Sequence, residues 1–488
     1  MQPDITDSNG ENPITSLVVK ALCQTPEGKI WVGTENLGVY VLNSAATEIV
    51  VQYTTANSAM PSNSILSLAC DENGTVWVGT DAGLVACDNS TTPTTNQPSY
   101  DNDESLEQGS MQKWRLHLSY RDATEIAATP SHIYAIANNS LFSLDRADET
   151  LNYWSRATGL NGTTVSHIAY DDASGQLVVA YEDGRIDLIN KAGNVKQMPD
   201  LYMKAGSMAT TINSITVGSN YVYLAMPFGI VAIQPRRGEV ADTYYIGEEA
   251  SAVDVLRIVE KGDSLYAFTA DLIYSAALKD NLVDYSYWHK STITTDRLQN
   301  AVIHNDKLYT LQHDSLYYLE GNIWKLINQT PINWIHASGG QLLLCNEEHN
   351  LFRLSDDNQL IGLSNSYYIR DAVYSQGEYW LGEKNWGLIK LSKEGDSFYH
   401  TNGPNSNFAY SLCTAHGQVY STIGGRWAAE FTRFAAINIF TRTDWIGRDY
   451  LHILSQGLPM EEDPVGIAVD KQDPSHFFVA TYGTGIIA

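Results

Sequence analysis

The chain has 488 residues and 43% hydrophobic residues, enough to build one to three domains with substantial buried cores. Only 18% of its residues are charged, which excludes wholesale disorder. The formal net charge is −26 and no basic stripe is visible, so nucleic acid is not expected as a partner and anionic membrane surfaces are disfavoured.

The sequence carries no sign of a membrane anchor, a disulfide framework or a metal site. No run of 18 apolar residues is present, so no transmembrane segment is predicted, and the first residues do not form a signal peptide. The five cysteines are odd in number and include no CxxC pair, which predicts neither a set of disulfides nor a zinc site. We therefore predict no metal and no cofactor.

The first 87 residues contain two closely similar segments. The stretch 28–34 reads Gly-Lys-Ile-Trp-Val-Gly-Thr, and the stretch 74–80 reads Gly-Thr-Val-Trp-Val-Gly-Thr. Each is followed by a glycine turn and a second apolar segment. This order of elements is a turn, an aromatic strand, a glycine turn and a second strand. It predicts part of an antiparallel sheet that is repeated along the chain.

Looser copies of the aromatic strand recur along the rest of the chain, mostly 34 to 46 residues apart. A blade of a β-propeller has a period of about 40–50 residues, whereas the repeats of a parallel β-helix, the alternative fold, are shorter. Each blade buries its two faces against its neighbours, so the aromatic anchors are expected in the core between blades. The anchors are Trp31, Trp77, Tyr134, Val178, Tyr223, Tyr266, Tyr309, Leu343, Trp380, Tyr420 and Phe478.

The anchors predict an all-β fold, with a seven-bladed β-propeller plus further blades of a second, incomplete or small propeller. Residues 1–87 are expected to form two blades of the second ring, and residues 403–488 further blades of that ring. Residues 88–111 are rich in Thr, Asn and acidic residues, and are predicted to be a flexible linker or an engineered junction. The seven-bladed propeller is assigned to residues 112–402, with Trp114–Tyr120 as a candidate closing strand of its last blade.

From Trp114 onward the chain resembles the PorZ-like surface components of the type IX secretion system of Bacteroidota. The front piece resembles the propeller repeat of two-component regulators, through Trp77-Val78-Gly79-Thr80 and the strand before it. The PorZ-like resemblance covers about residues 112–488. It rests on Trp114-Arg115 with Ser119-Tyr120, Gly159-Leu160 with Val165–Tyr170, Phe228–Val231, Gly424–Trp427, and Asp463–Ile486.

The resemblance implies an exported, non-catalytic protein at the outer cell surface or in the periplasm. PorZ-like proteins work with a sortase-like partner that attaches lipopolysaccharide to exported cargo, and they are thought to bind or deliver that lipopolysaccharide. Its partners would therefore be other secretion-system surface proteins and lipopolysaccharide or another glycan. The alternative is the extracellular, carbohydrate-sensing propeller of a hybrid two-component regulator. A propeller-fold glycan hydrolase or lyase is a third hypothesis, although no catalytic motif is visible.

Two segments are candidates for ligand binding, because loops held by a rigid scaffold commonly carry function. Arg426 and Trp427 place a bidentate donor beside a stacking ring, a pairing suited to an anionic sugar or a carboxylate. Lys384 and Trp386 lie in the turn after an aromatic strand. Packing between blades is the competing interpretation for both segments.

Overall fold

A computed structural model describes residues 14, 17–88, 114–199, 201, 210–328, 330–399, 401–425, 436–448, 463–482 and 485–487. The chain divides into two compact units. One consists of Tyr120–Thr401, and the other of Met1–Ser119 together with Asn402–Ala488. We call them the seven-sheet unit and the four-sheet unit, after the sheets in their described residues.

The seven-sheet unit contains seven antiparallel sheets of four strands, each built from consecutive strands of the chain. The first sheet has β9 (Ala123–Ala128), β10 (His132–Ala137), β11 (Ser140–Asp145) and β12 (Leu151–Trp154). The second has β13 (Val165–Asp171), β14 (Gln176–Tyr181), β15 (Ile186–Asn190) and β16 (Val195–Met198). The third has β17 (Ser214–Val217), β18 (Val222–Met226), β19 (Gly229–Gln234) and β20 (Glu239–Tyr244). The fourth has β21 (Arg257–Lys261), β22 (Ser264–Phe268), β23 (Ile273–Ala277) and β24 (His289–Lys290).

The remaining three sheets continue the same order. The fifth has β25 (Leu298–His304), β26 (Lys307–Gln312), β27 (Ser315–Glu320) and β28 (Ile323–Asn328). The sixth has β29 (Ile332–Ser338), β30 (Gln341–Asn346), β31 (Leu351–Leu354) and β32 (Leu360–Ser364). The seventh has β33 (Ile369–Ser375), β34 (Glu378–Glu383), β35 (Gly387–Leu391) and β36 (Ser397–Tyr399). Short 3-10 helices lie at Arg156–Thr158, Glu248–Ala250 and Tyr285–Tyr287.

The first strands of these sheets form a closed ring. Each of β9, β13, β17, β21, β25 and β29 contacts the first strand of the next sheet, and β33 returns to β9. A ring of radially stacked, four-stranded antiparallel sheets is a β-propeller, so the predicted fold class is confirmed and a β-helix is excluded. The predicted anchors of this unit all lie on the second strand of their own sheet.

The hydrophobic core lies between neighbouring sheets. One cluster joins Val178 and Leu188 of the second sheet to Val222 and Leu224 of the third, and similar clusters follow around the ring. The aromatic anchors were predicted to be core residues, and the structure buries Trp31, Trp77, Tyr134, Tyr223 and Trp380. Burying a side chain of this size contributes roughly 2–3 kcal/mol, which explains why each blade needs its neighbour.

The four-sheet unit comes from both ends of the chain. Its first sheet has β1 (Val19–Gln24), β2 (Ile30–Thr34), β3 (Val39–Leu42) and β4 (Ile49–Tyr53). Its second has β5 (Ile65–Cys70), β6 (Val76–Thr80), β7 (Leu84–Cys87) and β8 (Trp114–His117). Its third has β37 (Ser411–Ala415), β38 (Gln418–Thr422), β39 (Ile437–Phe440) and β40 (Trp445–Arg448). Its fourth has β41 (Pro464–Val469), β42 (Phe477–Thr481) and β43 (Gly485–Ile487).

The prediction that Trp114–Tyr120 closes the seven-bladed propeller is wrong. Strand β8 pairs with β7, with Trp114 opposite Cys87 and His117 opposite Leu84, and it completes the second sheet of the four-sheet unit. The physical reason is packing, because the Trp114 ring fits edge-on against Trp31 and Tyr53 in the core between the first two sheets. Residues 89–113, which hold most of the predicted linker, lie outside the described residues.

His117 at the end of β8 sits in an aromatic cage. Its ring lies 5.0 Å from Trp77, 4.8 Å from Phe440 and 5.6 Å from Trp445, measured between ring centroids. The indole N–H of Trp445 donates to its Nδ1 over 3.2 Å. Burial, with a smaller contribution from Arg115, lowers the pKa of His117 to about 3. The imidazole is therefore neutral in the folded chain at neutral pH.

Acidification is expected to destabilise the four-sheet unit through His117. The unfolded chain takes up a proton near pH 6.5 and the folded chain does not, so this stabilisation is present above pH 6.5 and is lost as the pH falls towards 3. Between pH 7 and pH 5 the loss amounts to about 2 kcal/mol. Urea unfolding at both pH values should show this loss for the natural chain relative to His117→Gln. Equal losses in the two proteins would refute the assignment.

Candidate functional site

The turn that carries Lys384 and Trp386 joins β34 to β35 and is built around one buried carboxylate. Glu383 is 1% exposed, and its Oε2 accepts hydrogen bonds from the backbone N–H of Asn385 over 2.6 Å and of Trp386 over 2.7 Å. Its Oε1 accepts the N–H of Tyr368 over 3.1 Å. Gly387 ends the turn with a φ of +77°, a left-handed conformation that favours glycine. The side chains of residues 384–386 are therefore held outward on a fixed backbone.

Lys384 lies over an aromatic ring from the loop before β33. Its Nζ is 4.5 Å from the ring centroid of Tyr368, and the guanidinium of Arg370 is 5.1 Å from the same centroid. Arg370 is fixed by two hydrogen bonds to Asp122, of 2.9 and 3.0 Å. The ring of His349 stacks on Tyr368, and burial together with Arg370 and Lys384 lowers the pKa of His349. This side of the turn carries positive charge on an otherwise acidic chain.

The other side of the turn is aromatic. Trp386 is 46% exposed and meets Phe398, 41% exposed, edge to face with 5.5 Å between centroids. Tyr367 contacts Phe398 at 5.8 Å and donates its hydroxyl to Asp396 over 2.7 Å. That hydrogen bond, burial and nearby carboxylates raise the pKa of Tyr367 to about 12. Lys384, Arg370, Tyr368, Trp386 and Phe398 together form what we call the blade-seven patch.

Arg426 and Trp427 lie outside the described residues, so the structure gives no account of their contacts. By position they belong to the four-sheet unit, whereas Lys384 and Trp386 belong to the seven-sheet unit. The neighbouring Gly424 is described, and its N–H donates to the carbonyl of Pro464 over 3.0 Å.

A polar belt around the inner strands of the seven-sheet unit was not singled out by the sequence. Asp371 on β33 accepts the N–H of Ile126 on β9 over 2.9 Å, and its other oxygen lies 2.8 Å from Nδ1 of His336 on β29. Burial lowers the pKa of His336, but Asp371 and, more weakly, Glu125 outweigh it, and the net shift is upward. The belt therefore binds the seventh sheet to both of its neighbours.

The belt continues through the other inner strands. Glu125 on β9 accepts the N–H of Ile168 over 2.8 Å and contacts Nδ1 of His167 at 2.9 Å. Arg257 on β21 donates to Asn300 on β25 and to the carbonyl of Asn213, each over 2.9 Å. These groups bond sheet to sheet, and we assign them a structural role. Apart from His336, these side chains occupy the third position of a repeated apolar-x-polar-apolar pattern, such as Ile369-Arg370-Asp371-Ala372.

Neither a metal centre nor a membrane-spanning helix is found in the part of the chain that the structure describes. No group of three His, Cys, Asp or Glu side chains is placed to hold a metal ion there. No helix in that part is long and apolar enough to cross a membrane.

The fold and the repeats define the chain as a β-propeller protein. The family model for the PorZ N-terminal β-propeller domain of the type IX secretion system matches residues 133–289. The two-component regulator propeller model matches residues 13–36 and 59–82. Both resemblances predicted from the sequence are thereby confirmed. The first match lies in the seven-sheet unit and the second in the four-sheet unit.

Among solved structures, the chain is similar to PorZ, an essential bacterial surface component of the type IX secretion system of Porphyromonas gingivalis. The TM-score is 0.67 at 22% identity, and the match covers 76% of this chain and 51% of PorZ. The chain thus spans about half the length of that relative. The WD40 β-propeller domain of Doa1 is less similar, with a TM-score of 0.44, 12% identity, and coverage of 57% of this chain and 95% of that domain. No curated protein sequence matches the chain significantly.

Proposed function

We propose that this chain is a non-catalytic, exported propeller protein of a type IX secretion system. It acts at the cell surface or in the periplasm, binds lipopolysaccharide, and contacts the sortase-like attachment machinery and other surface proteins of the system. The observation that carries the proposal is the PorZ N-terminal propeller match over residues 133–289, in a unit with the same fold as PorZ.

The blade-seven patch is the proposed lipopolysaccharide contact. An anionic glycolipid needs cations for its phosphate or carboxylate groups and flat apolar surfaces for its sugar rings. Lys384 is exposed, and Trp386 presents nearly half of its surface beside it on a backbone fixed by Glu383. Arg426 and Trp427 are retained as a second proposed contact, on their residue types alone.

Replacing Lys384 and Trp386 together by alanine is expected to weaken lipopolysaccharide binding about ten-fold, because the variant lacks both the cation and the exposed ring. Surface plasmon resonance measures how strongly the immobilised chain captures purified lipopolysaccharide. The matched control replaces Lys290 and Tyr287 by alanine. These are another exposed lysine and an exposed aromatic residue of the same unit, and this control should bind lipopolysaccharide like the natural chain. Equal binding by all three proteins would reject the patch. No binding by the natural chain would reject the lipopolysaccharide role.

The carbohydrate-sensing propeller of a two-component regulator is the second candidate, favoured by the regulator-type repeats at residues 13–36 and 59–82. The two candidate functions predict different bound ligands and partners for the purified chain. Capture of neutral oligosaccharides without lipopolysaccharide, and without any secretion-system protein in a cross-linking experiment, would favour the sensor.

A further inference from the structure

The fourth sheet of the seven-sheet unit has a loop where the other sheets have most of their outer strand. Strand β24 has two residues, whereas the outer strands of the other six sheets have three to six. Residues 278–288, which we call the fourth-sheet loop, join β23 to β24 and contain the 3-10 helix Tyr285–Tyr287. Because loops on a rigid scaffold commonly carry function, this departure from the blade pattern marks a candidate binding surface.

Buried side chains fix the fourth-sheet loop at both ends. Leu282 and Trp288 are buried in the core between the third and fourth sheets. The indole N–H of Trp288 donates to the carbonyl of Leu282 over 2.9 Å, which ties the two ends together. Between these anchors, the N–H of Ser286 donates to the carboxylate of Asp284 over 2.9 Å. Residues 283–287 are therefore held in a defined conformation before any partner binds.

The fixed part of the loop presents large apolar side chains to solvent. Val283 is 50% exposed, Tyr285 39% and Tyr287 40%. Among the described residues of the seven-sheet unit, no other stretch of five residues exposes three side chains of this kind. Tyrosine is enriched in protein interfaces, and apolar side chains exposed together mark an interaction surface. We call Val283, Tyr285 and Tyr287 the tyrosine surface.

Carboxylates lie beside the tyrosine surface. The turn Glu248–Ala250 contacts the 3-10 helix of the loop and exposes Glu248 and Glu249. Oε1 of Glu248 lies 3.6 Å from Nζ of Lys290, but Glu249 and Asp284 form no ion pair in the part of the chain that the structure describes. Hydrogen bonds that Asp284 accepts within the loop lower its pKa, so its carboxylate is ionised at neutral pH. The tyrosine surface therefore borders on two carboxylates that no described cation neutralises.

The balance of charge decides which partner fits the tyrosine surface. The region has four carboxylates and two lysines, namely Glu248, Glu249, Asp280 and Asp284 against Lys279 and Lys290. A second copy of this chain also carries a net charge of −26 and would be repelled. The surface is also far smaller than a stable subunit interface, which takes roughly 20–30 residues from each side. A short cationic segment meets neither obstacle.

We infer that the tyrosine surface binds a lysine- or arginine-bearing segment of a partner protein. A cation over the rings of Tyr285 and Tyr287 gains cation–π attraction and is also attracted by Glu249 and Asp284. The apolar stem of such a side chain packs against Val283, as long cationic side chains do on apolar surfaces. The inference does not depend on the proposed secretion role, because it uses no residue of the blade-seven patch and its ligand has the opposite charge to lipopolysaccharide.

Fluorescence anisotropy with the intact chain tests the inference. The probe is a peptide of three Gly-Arg repeats with a neutral fluorophore. The comparison peptide has citrulline, which has nearly the same shape but no charge, in place of each arginine. At about 50 mM salt the arginine peptide should bind with a Kd of about 100 μM, and the citrulline peptide about ten-fold more weakly. No binding of the arginine peptide, or equal binding of both peptides, would overturn the inference.

Removal of the tyrosine rings separates this surface from general attraction to an acidic chain. The variant Tyr285→Ala, Tyr287→Ala keeps the charge unchanged and should weaken binding of the arginine peptide about five-fold. Thermal unfolding checks that it is folded, and Tyr287→Ala alone serves if it is not. Undiminished binding by a folded tyrosine variant would refute the inference. The variant Lys384→Ala, Trp386→Ala should bind the arginine peptide like the natural chain, so failure of the proposed lipopolysaccharide contact alone leaves the inference standing.

Two pairs of adjacent glutamates test the contribution of the carboxylates. Glu248→Gln, Glu249→Gln should weaken binding of the arginine peptide about five-fold. Glu347→Gln, Glu348→Gln removes the same charge from an exposed turn of the sixth sheet and should change binding less than about two-fold. Equal weakening by both pairs would show that the peptide responds to net charge alone, which contradicts a site at the tyrosine surface.

Discussion

Replacing Asp371 by alanine is expected to lower the free energy of unfolding of the seven-sheet unit by about 3 kcal/mol. Asp371 is buried, and its carboxylate accepts the N–H of Ile126 on the first sheet, the N–H of Ala372 on its own strand, and a hydrogen bond from His336 on the sixth. Alanine leaves these groups without acceptors, and each unsatisfied buried donor costs about 1–3 kcal/mol. The cost falls at the point where the last sheet of the ring meets the first.

Hydrogen–deuterium exchange during urea unfolding separates the two units, because peptides from Tyr120–Thr401 report on the seven-sheet unit alone. The largest loss of protection should appear in β9 and β33, which Asp371 connects. Asp172→Ala is the matched control, since this exposed turn aspartate should change stability by less than about 0.5 kcal/mol. If Asp371→Ala unfolds at the same urea concentration as the control, the belt does not stabilise ring closure.

The fold was largely predictable because propeller packing leaves a local signature. Most second strands are buried on both faces, so they appear as short apolar runs, in most sheets with an aromatic residue and in several followed by a glycine turn. Trp31 and Trp77 occupy equivalent positions in this pattern, and both are buried. A looser version of this strand pattern occurs in all seven sheets of the larger ring. The spacing between successive copies of the pattern identified the fold, and a single blade does not show that spacing.

Strand β8 shows where local pattern fails. The sequence Trp-Arg-Leu-His at 114–117 predicts a strand but not its partner, because an outer strand carries few repeat-specific residues. Because the seven-bladed propeller follows this strand in the sequence, the sequence order favoured pairing of the strand with that propeller. The pairing was decided instead by the open edge of β7 and by the fit of Trp114 against Trp31 and Tyr53, contacts distant in sequence.

The polar belt was missed for a different reason. Its position is regular, but the residue at that position changes from Glu125 to His167, Arg257, Asn300 and Asp371 around the ring. Comparison of the repeats detects residue types that recur at one position. In the belt the hydrogen bonds between sheets recur, but they are made by different residue types in different sheets. The blade-seven patch combines both cases. The turn at Lys384 and Trp386 was recognisable, but its neighbours are Tyr368, from the loop before β33, and Arg370, on β33 itself.

Replacing Glu383 by alanine is expected to release the turn that presents the blade-seven patch. The variant loses the acceptor of three backbone N–H groups, at Tyr368, Asn385 and Trp386, so the local stability should fall by about 3 kcal/mol. Amide exchange in residues 384–387 should then accelerate about a hundred-fold. Lipopolysaccharide capture should fall as far as in the Lys384→Ala, Trp386→Ala variant, although both side chains are still present.

Two comparisons make the Glu383 result specific. Glu383→Gln keeps one acceptor oxygen and should lie between alanine and the natural chain in both exchange rate and capture. Glu347→Ala removes an exposed turn carboxylate in the sixth sheet and should change neither. Faster exchange with unchanged capture would separate the turn from binding and reject the patch as the lipopolysaccharide contact. Unchanged exchange would show that the buried carboxylate does not hold the turn. Faster exchange together with weaker capture would show that binding depends on the backbone geometry of the turn and not only on its residue types.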